Sequence, residues 1–193
     1  MSNNLKRIRI LTECAIMVAL SCVLSMITIY SLPQGGSITA FCQVPIIVLS
    51  FRHGIKWGAF SGFVFSVFQL IAGLSAFSYV KTIPAYLAVA FLDYIIAFTI
   101  LGFGGIFRKK IKNQAVSIGV GAGVVSLIRL LCHFLSGVTV WADYAEGFKY
   151  VWAYSLAYNG TYMGIETATT VLGVVLLSTV LDFSKDNLIR KRK

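Results

Sequence analysis

The chain has 193 residues, of which 58% are hydrophobic and 12% charged, and it carries a formal net charge of +10 at pH 7. A soluble fold with this composition would have too little polar surface to cover its apolar core. The composition therefore excludes an ordinary soluble domain. Because the charges flank apolar stretches, they fit anionic lipid headgroups better than nucleic acid.

The positive charges predict how the chain is oriented in a membrane. Fourteen of the 17 Lys and Arg residues fall in four clusters, within residues 6–9, 52–56, 108–112 and 185–193. The turns between these regions carry only Lys81 and Lys149. Because positively charged loops stay on the cytoplasmic side, both termini are predicted to lie inside the cell.

Apolar stretches near the length that crosses a bilayer, about 20 residues, predict six helices in a single membrane domain that spans residues 1–193. The expected fold class is thus an all-α bundle of six transmembrane helices. The first apolar run is long and lacks an obvious small-x-small cleavage site, so it is predicted to be a retained helix rather than a signal peptide. The predicted helices cover about residues 8–30, 39–51, 55–74, 83–107, 114–138 and 155–182.

Two connections on the predicted outer side differ in character. Residues 31–37 form an uncharged loop after the first helix, whereas residues 139–154 are rich in Trp, Tyr and Phe. Such an aromatic run is typical of the outer membrane interface, and it would also suit a lid over a binding site.

Neither the cysteines nor known catalytic motifs indicate chemistry. The chain contains no His-Glu-x-x-His, Gly-x-Ser-x-Gly or Walker A motif. The sequence therefore predicts neither an enzyme nor a cofactor, and it predicts no ATP hydrolysis by the chain itself. The four cysteines lie in apolar segments without the spacing of a metal site, and they are interpreted as small core residues: Cys14, Cys22, Cys42 and Cys132.

Three ionisable residues inside the predicted helices indicate a binding site, because charges at this depth face the bundle interior and mark functional positions. Asp93 lies about 15 Å below the outer start of its helix at 1.5 Å per residue, and Arg129 and Glu166 are predicted at similar depths. Two carboxylates and one guanidinium would favour a cation. The alternative is a structural ion pair between Arg129 and one of the carboxylates.

Further side chains would shape this site. Arg129, His133 and Gly137 follow at i, i+4 and i+8, so they share one stripe of a helix. Aromatic rings beside a carboxylate bind delocalised cations, and Tyr94, Trp141 and Tyr154 are candidates. A lone helical His is also a common packing residue, and Trp141 and Tyr154 would equally suit an interfacial belt.

Small residues spaced by four allow helices to approach closely in lipid. The pairs Ala15/Ala19, Gly58/Gly62 and Gly119/Gly123 have this spacing. Internal packing is the simpler interpretation. Docking of another membrane subunit is the alternative, with the first helix as the candidate surface.

Several motifs occur together along the chain: Pro33-Gln-Gly-Gly-Ser-Ile-Thr39, Leu92-Asp-Tyr94, His133-x-x-x-Gly137 with Trp141, and Tyr154-Ser-Leu-Ala-Tyr-Asn159-Gly160. In order and spacing they resemble one family over essentially the whole chain, the thiamine-specific substrate-binding subunits of energy-coupling-factor transporters. This resemblance implies a subunit of a prokaryotic plasma membrane that captures thiamine from outside. It also implies partners, a membrane coupling subunit and two cytoplasmic ATPases.

The resemblance also assigns roles to individual residues. It places Asp93 at an acidic position beside the ligand, and Tyr94 and His133 against the thiazolium ring of thiamine. It places Trp141 against the pyrimidine, with Tyr154 and Asn159 hydrogen-bonded to its edge, while Arg129 matches a basic position and Ala15/Ala19 match the docking motif. Two features depart from the family. Position 93 is Glu in some members, whereas it is Asp here. The first outer loop lacks the Trp that some members use as a lid, and Tyr30 or another loop is the candidate to replace it.

Other functions remain open from the residues alone. The site would also suit a thiamine precursor or another flat cationic vitamin. An autonomous secondary transporter is a further alternative, although the sequence shows no paired repeats or broken helices of the kind such transporters often contain.

Overall fold

The structure, a computed structural model, describes residues 3–184 and 189–190, and these are mainly helical. Within the described residues, every long helix except α2 has the length and apolar character needed to cross a membrane. The helices are α1 Asn3–Met26, α2 Val44–His53, α3 Ile55–Ala72, α4 Ile83–Phe103, α5 Gln114–Thr139 and α6 Val151–Val180. Two short antiparallel pairs complete the fold: β1 Thr28–Ser31 with β2 Ser37–Thr39, and β3 Leu181–Asp182 with β4 Ile189–Arg190.

Local sequence signals set several helix ends. The side chain of Thr82 caps α4 by accepting a hydrogen bond from the Ala85 amide, and Asn113 caps α5 through the Val116 amide at 3.1 Å. Gly54, with φ of 89°, ends α2 and allows α3 to begin at the next residue. The predicted helix boundaries in these regions are accordingly close to those observed.

The predicted first helix and outer loop were wrong in their boundaries. Helix α1 ends at Met26 instead of about residue 30, and residues 28–39 form the β1–β2 hairpin. The β-branched and aromatic residues of β1, Thr-Ile-Tyr, favour a strand. The turn between the strands uses Gln34 at φ 60° and Gly35 at φ 99°, a conformation that glycine adopts without strain.

Helix α2 is short and central, and it begins at Val44 instead of about residue 39. All of its residues from Val44 to Arg52 are buried, so its ten residues, about 15 Å long, cannot face lipid along a full crossing. The chain reaches α2 through the hairpin and residues 40–43. Strand β1 of this hairpin is exposed, whereas Ile38 and Thr39 of β2 are buried.

Helix α4 is not regular, contrary to the uniform helix predicted for residues 83–107. Its central part, Ala90–Ile96, is a π-helix, and its last part, Ile100–Phe103, is a 3₁₀-helix. The π segment carries Asp93. Local π geometry is frequent at functional sites because it turns a side chain away from the position that a regular helix would give it.

The Gly58/Gly62 spacing serves internal packing. A Cβ added at Gly58 would lie 2.3 Å from the carbonyl oxygen of Gly102, and one at Gly62 would lie 2.9 Å from that of Thr99. Helices α3 and α4 thus approach backbone to backbone. By contrast, a Cβ at Gly123 on α5 would meet nothing within 4 Å.

The basic clusters within residues 6–9, 52–56 and 108–112 lie at one end of the bundle. Arg52, at the end of α2, forms an ion pair with Glu13 of α1 at 2.5 Å, and Arg108 donates to the Arg52 carbonyl at 2.5 Å. The C-terminal end of α6 lies at this end as well, because Gln114 at the start of α5 donates to the Ser178 and Leu181 carbonyls. The cluster within 185–193 falls largely outside the described residues.

Glycine substitutions test the packing of α3 on α4. We expect Gly58→Ala to lower the melting temperature of the detergent-purified protein, since the added methyl group overlaps backbone atoms, at a cost of about 1–3 kcal/mol. Gly123→Ala is the matched control, and it should be neutral or stabilising by up to about 1 kcal/mol. Equal melting temperatures for the two variants would contradict the close approach of the helices.

Candidate functional site

A cavity of about 650 Å³ opens at the end of the bundle opposite the basic clusters. Its walls come from the ends of α1, α3 and α5, the first parts of α4 and α6, and the hairpin. All eight ligand-contact residues predicted from the sequence line this one cavity: Asp93, Tyr94, Arg129, His133, Gly137, Trp141, Tyr154 and Asn159.

Asp93 is the centre of a hydrogen-bonded group on one wall. Its Oδ2 accepts hydrogen bonds from Ser136 Oγ at 2.7 Å and from the Trp141 indole Nε1 at 3.2 Å. Its Oδ1 lies 3.1 Å from His133 Nδ1. With 12% of its side chain exposed, the carboxylate is fixed in position and still borders the cavity.

His133 presents an unused nitrogen at the same wall. Its Nδ1 faces Asp93, while its Nε2 is buried and has no hydrogen-bond partner among the described residues. The imidazole also meets the Tyr162 ring edge to face, with centroids 6.3 Å apart. Because buried polar atoms are normally paired, Nε2 is a candidate for contact with a bound molecule.

Arg129 and Glu166 form the ion pair that the sequence left as an alternative. Arg129 Nη1 lies 2.7 Å from Glu166 Oε2, and the guanidinium carbon lies 4.6 Å from the centre of the Phe98 ring. Both side chains line the cavity, as does Asp93, so the three predicted ionisable residues do converge. The partner of Arg129 is Glu166, however, and Asp93 pairs with His133.

Aromatic side chains supply flat surfaces around the cavity. The Tyr94 hydroxyl donates to the Gly73 carbonyl at 3.1 Å, which fixes the ring beside the π segment of α4. Tyr154 and Tyr158 lie one turn apart on α6, with ring centroids 5.8 Å apart. These rings, together with Trp141, line a space suited to a flat ligand.

Asn159 and Gly137 shape the contact between α5 and α6. Asn159 Nδ2 donates to the carbonyls of His133 and Ser155, at 3.2 and 3.0 Å, and its Oδ1 accepts from the Tyr162 hydroxyl at 3.0 Å. A Cβ at Gly137 would lie 2.1 Å from Ser155 Oγ, so only glycine allows this approach of the two helices. The amide of Asn159 is thereby held in one orientation.

Sequence reasoning missed several residues of the site. Ser136 lies seven residues after Arg129, on the stripe already identified, and the helical period could have found it. The hairpin has no helical period, and only the family motif over residues 33–39 pointed to it. The Tyr158 hydroxyl donates to the Pro33 carbonyl and accepts from the Gly36 amide, so residues 33–36 border the cavity. Tyr30, the candidate for a lid, is exposed and does not line the cavity.

The remaining predictions concern surfaces away from the cavity. Ala15 and Ala19 are exposed on α1, where they are free to meet lipid or another protein. Among the described residues, no group of three or more His, Cys, Asp and Glu side chains could hold a metal ion.

The cavity as a whole can bind a small, flat, positively charged molecule through the Asp93 carboxylate and several aromatic rings.

Comparison with known proteins agrees with this chemistry. A family described as "Thiamine transporter protein (Thia_YuaJ)" matches residues 11–185. A protein of Bacillus subtilis (strain 168) named "Thiamine transporter ThiT" is 34% identical over 172 residues, covering 83% of this chain and 85% of the relative. A protein of the same name from Lacticaseibacillus paracasei is 30% identical over 189 residues, covering 91% and 89%.

A solved structure shares the fold. The structure of ThiT from Listeria monocytogenes matches with a TM-score of 0.73 at 24% identity, covering 90% of this chain and 94% of the other. The family match and the two sequence relatives carry the assignment, and the membrane-length helices are consistent with it. The chain belongs to the thiamine transporter protein family, as a multi-pass protein of a prokaryotic plasma membrane.

Proposed function

We propose that the protein is the thiamine-binding membrane subunit of an energy-coupling-factor transporter. In this proposal a single membrane domain captures thiamine from outside the cell and delivers it inward. A membrane coupling subunit and two cytoplasmic ATPases supply the energy. The relatives named as thiamine transporters support the ligand, and the cavity supports direct binding by this chain.

The observation that carries the proposal is the Asp93 carboxylate in its aromatic cavity. Thiamine contains a permanently cationic thiazolium ring, which needs a carboxylate and ring faces nearby. Asp93 is held by Ser136, Trp141 and His133, which leaves its position independent of the ligand. A preorganised carboxylate binds a cation without first losing side-chain freedom.

The second ring of thiamine, the aminopyrimidine, fits the remaining lining. Trp141 would stack on this ring, and Tyr154 and Asn159 would meet the donors and acceptors at its edge. Tyr94 and His133 would border the thiazolium, with the free Nε2 of His133 available to the ligand. Gly137 borders the ligand and lets α6 approach α5 there, and Arg129 lines the wall together with Glu166.

The orientation follows from the charges. The cavity lies at the end opposite the basic clusters, so the positive-inside rule directs it outward and both termini inward. We propose six membrane crossings, with α2 and the hairpin above it making one of them. The exposed Ala15 and Ala19 of α1 would then face the coupling subunit from within the membrane.

Tryptophan fluorescence tests the ligand and its position. Thiamine should quench the fluorescence of the detergent-purified protein saturably at submicromolar concentrations, because Trp141 stacks on the ligand. Trp141→Phe should abolish this quenching, whereas Trp152→Phe, at a residue that is 54% exposed and does not line the cavity, should preserve it. Absence of quenching in folded wild-type protein would contradict thiamine as the ligand.

Replacing carboxylates tests the recognition of the cation. Asp93→Asn should raise the Kd for thiamine about 10- to 100-fold, or about 1.4–2.8 kcal/mol, since the cation loses its counter-charge. Asp143→Asn is the matched control on the same side of the membrane, where the carboxylate is 73% exposed. Calorimetric titration should give the wild-type Kd for this control. An unchanged Kd in Asp93→Asn would contradict the site.

Larger residues on α1 test the docking surface. The double variant Ala15→Leu/Ala19→Leu should bind thiamine normally and lose thiamine uptake in cells that contain the ATPase module, because the bulkier side chains prevent close helix approach. Ala168→Leu, at an exposed position on α6, is the control and should import normally. Uptake by the double variant would show that α1 does not dock there.

A further inference from the structure

We infer that Glu166 determines the charge specificity of the cavity by neutralising Arg129, so that the site keeps its preference for a cation. This inference rests on the proposed thiamine-binding function. It assigns a role to Glu166, which lines the cavity but is not among the eight ligand contacts predicted from the sequence. It also makes Arg129 compatible with a cationic ligand in the same cavity.

The contacts of Glu166 are those of an anion. Its Oε1 accepts hydrogen bonds from Thr39, through the amide at 3.1 Å and the hydroxyl at 2.7 Å. Its Oε2 accepts from Gln43 Nε2 at 3.1 Å and from Arg129 Nη1 at 2.7 Å. Every partner donates, which is the role that an ionised carboxylate accommodates.

Arg129 needs this partner because its charge is permanent. The guanidinium stays protonated in proteins, and its side chain is only 6% exposed. Its Nε is buried and makes no hydrogen bond within the described residues, so Glu166 provides its charged contact there. Without Glu166, a positive charge would stand unmatched in the wall of the cavity.

The balance of charges in the cavity depends on this pair. Among the described residues that line it, the permanently or ordinarily charged ones are Asp93, Arg129 and Glu166. Glu166 cancels Arg129, and the Asp93 carboxylate then gives the site its negative character. Without the charge of Glu166, the negative charge of Asp93 and the positive charge of Arg129 would cancel. The cavity would then have no net attraction for a cation.

A glutamine at position 166 separates charge from shape. Its amide oxygen still accepts a hydrogen bond from Thr39, and its size matches that of glutamate. Two ligands of equal shape complete the comparison: thiamine, and its analogue in which a neutral thiophene replaces the thiazolium. A merely structural role of Glu166 would weaken both ligands equally, whereas a role in charge balance changes the ratio of the two Kd values.

Calorimetric titration of the full chain in detergent measures this ratio. In E166Q we expect the Kd for thiamine to rise about 10- to 100-fold, because the unpaired guanidinium of Arg129 repels the cation. The Kd for the neutral analogue should change little. The double variant R129M/E166Q should restore the wild-type ratio, because both charges are gone. E146Q, which removes an exposed carboxylate that does not line the cavity, should leave both Kd values unchanged.

Two results would overturn the inference. One is an unchanged ratio of the two Kd values in E166Q, whether or not both values rise. The other is an altered ratio that the double variant R129M/E166Q does not restore. A melting curve accompanies each variant, because an unpaired buried charge also destabilises the fold. If E166Q is recovered unfolded, R129M decides: its preference for thiamine over the neutral analogue should equal or exceed that of wild type, and a fall would refute the inference.

Failure of the proposed function has a different signature. If the wild-type protein binds neither thiamine nor the neutral analogue, thiamine is not the ligand. If the wild type binds thiamine and E166Q keeps the wild-type ratio, the proposed function stands and only the role of Glu166 is refuted.

Discussion

The matching of buried charge is the constraint on which this structure depends. A guanidinium and a carboxylate inside a membrane protein are costly unless they are paired. Arg129 and Glu166 form such a pair at 2.7 Å, and Thr39 and Gln43 donate further hydrogen bonds to the carboxylate. One carboxylate therefore joins α5, α6, β2 and the residues before α2 in the wall of the cavity.

This junction holds the non-helical segment that precedes α2. In the β1–β2 hairpin, β1 is exposed, whereas Ile38 and Thr39 of β2 are buried, so the buried backbone groups need partners inside the protein. The Thr39 amide finds its partner in Glu166, and the hairpin turn finds one in the Tyr158 hydroxyl, two turns away on the same helix. Helix α6 thus supports the hairpin along its length.

A second irregularity lies on the wall formed by α4. The π segment of α4 carries Asp93, and α5 and the residue that follows its end provide the groups that hold it: His133, Ser136 and Trp141. The Arg129–Glu166 pair is thus neutral as a whole, whereas the part of the wall around Asp93 carries the negative charge. In the proposed function this division favours a flat cation, because the attractive group and the supporting ion pair are separate.

Much of this architecture could be predicted from the sequence. Charge clusters and apolar lengths predicted the order of the membrane helices. Depth and helical spacing indicated Asp93, Arg129, His133 and Gly137, and the family resemblance added Asn159. These residues and the three aromatic candidates all line one cavity. These features depend on the spacing of residues along a single helix, which can be measured directly in the sequence. The hairpin, the π segment and the choice of Glu166 over Asp93 as the partner of Arg129 could not be predicted in this way. They depend on how each helix is rotated and which helix lies beside it, and only tertiary packing decides that.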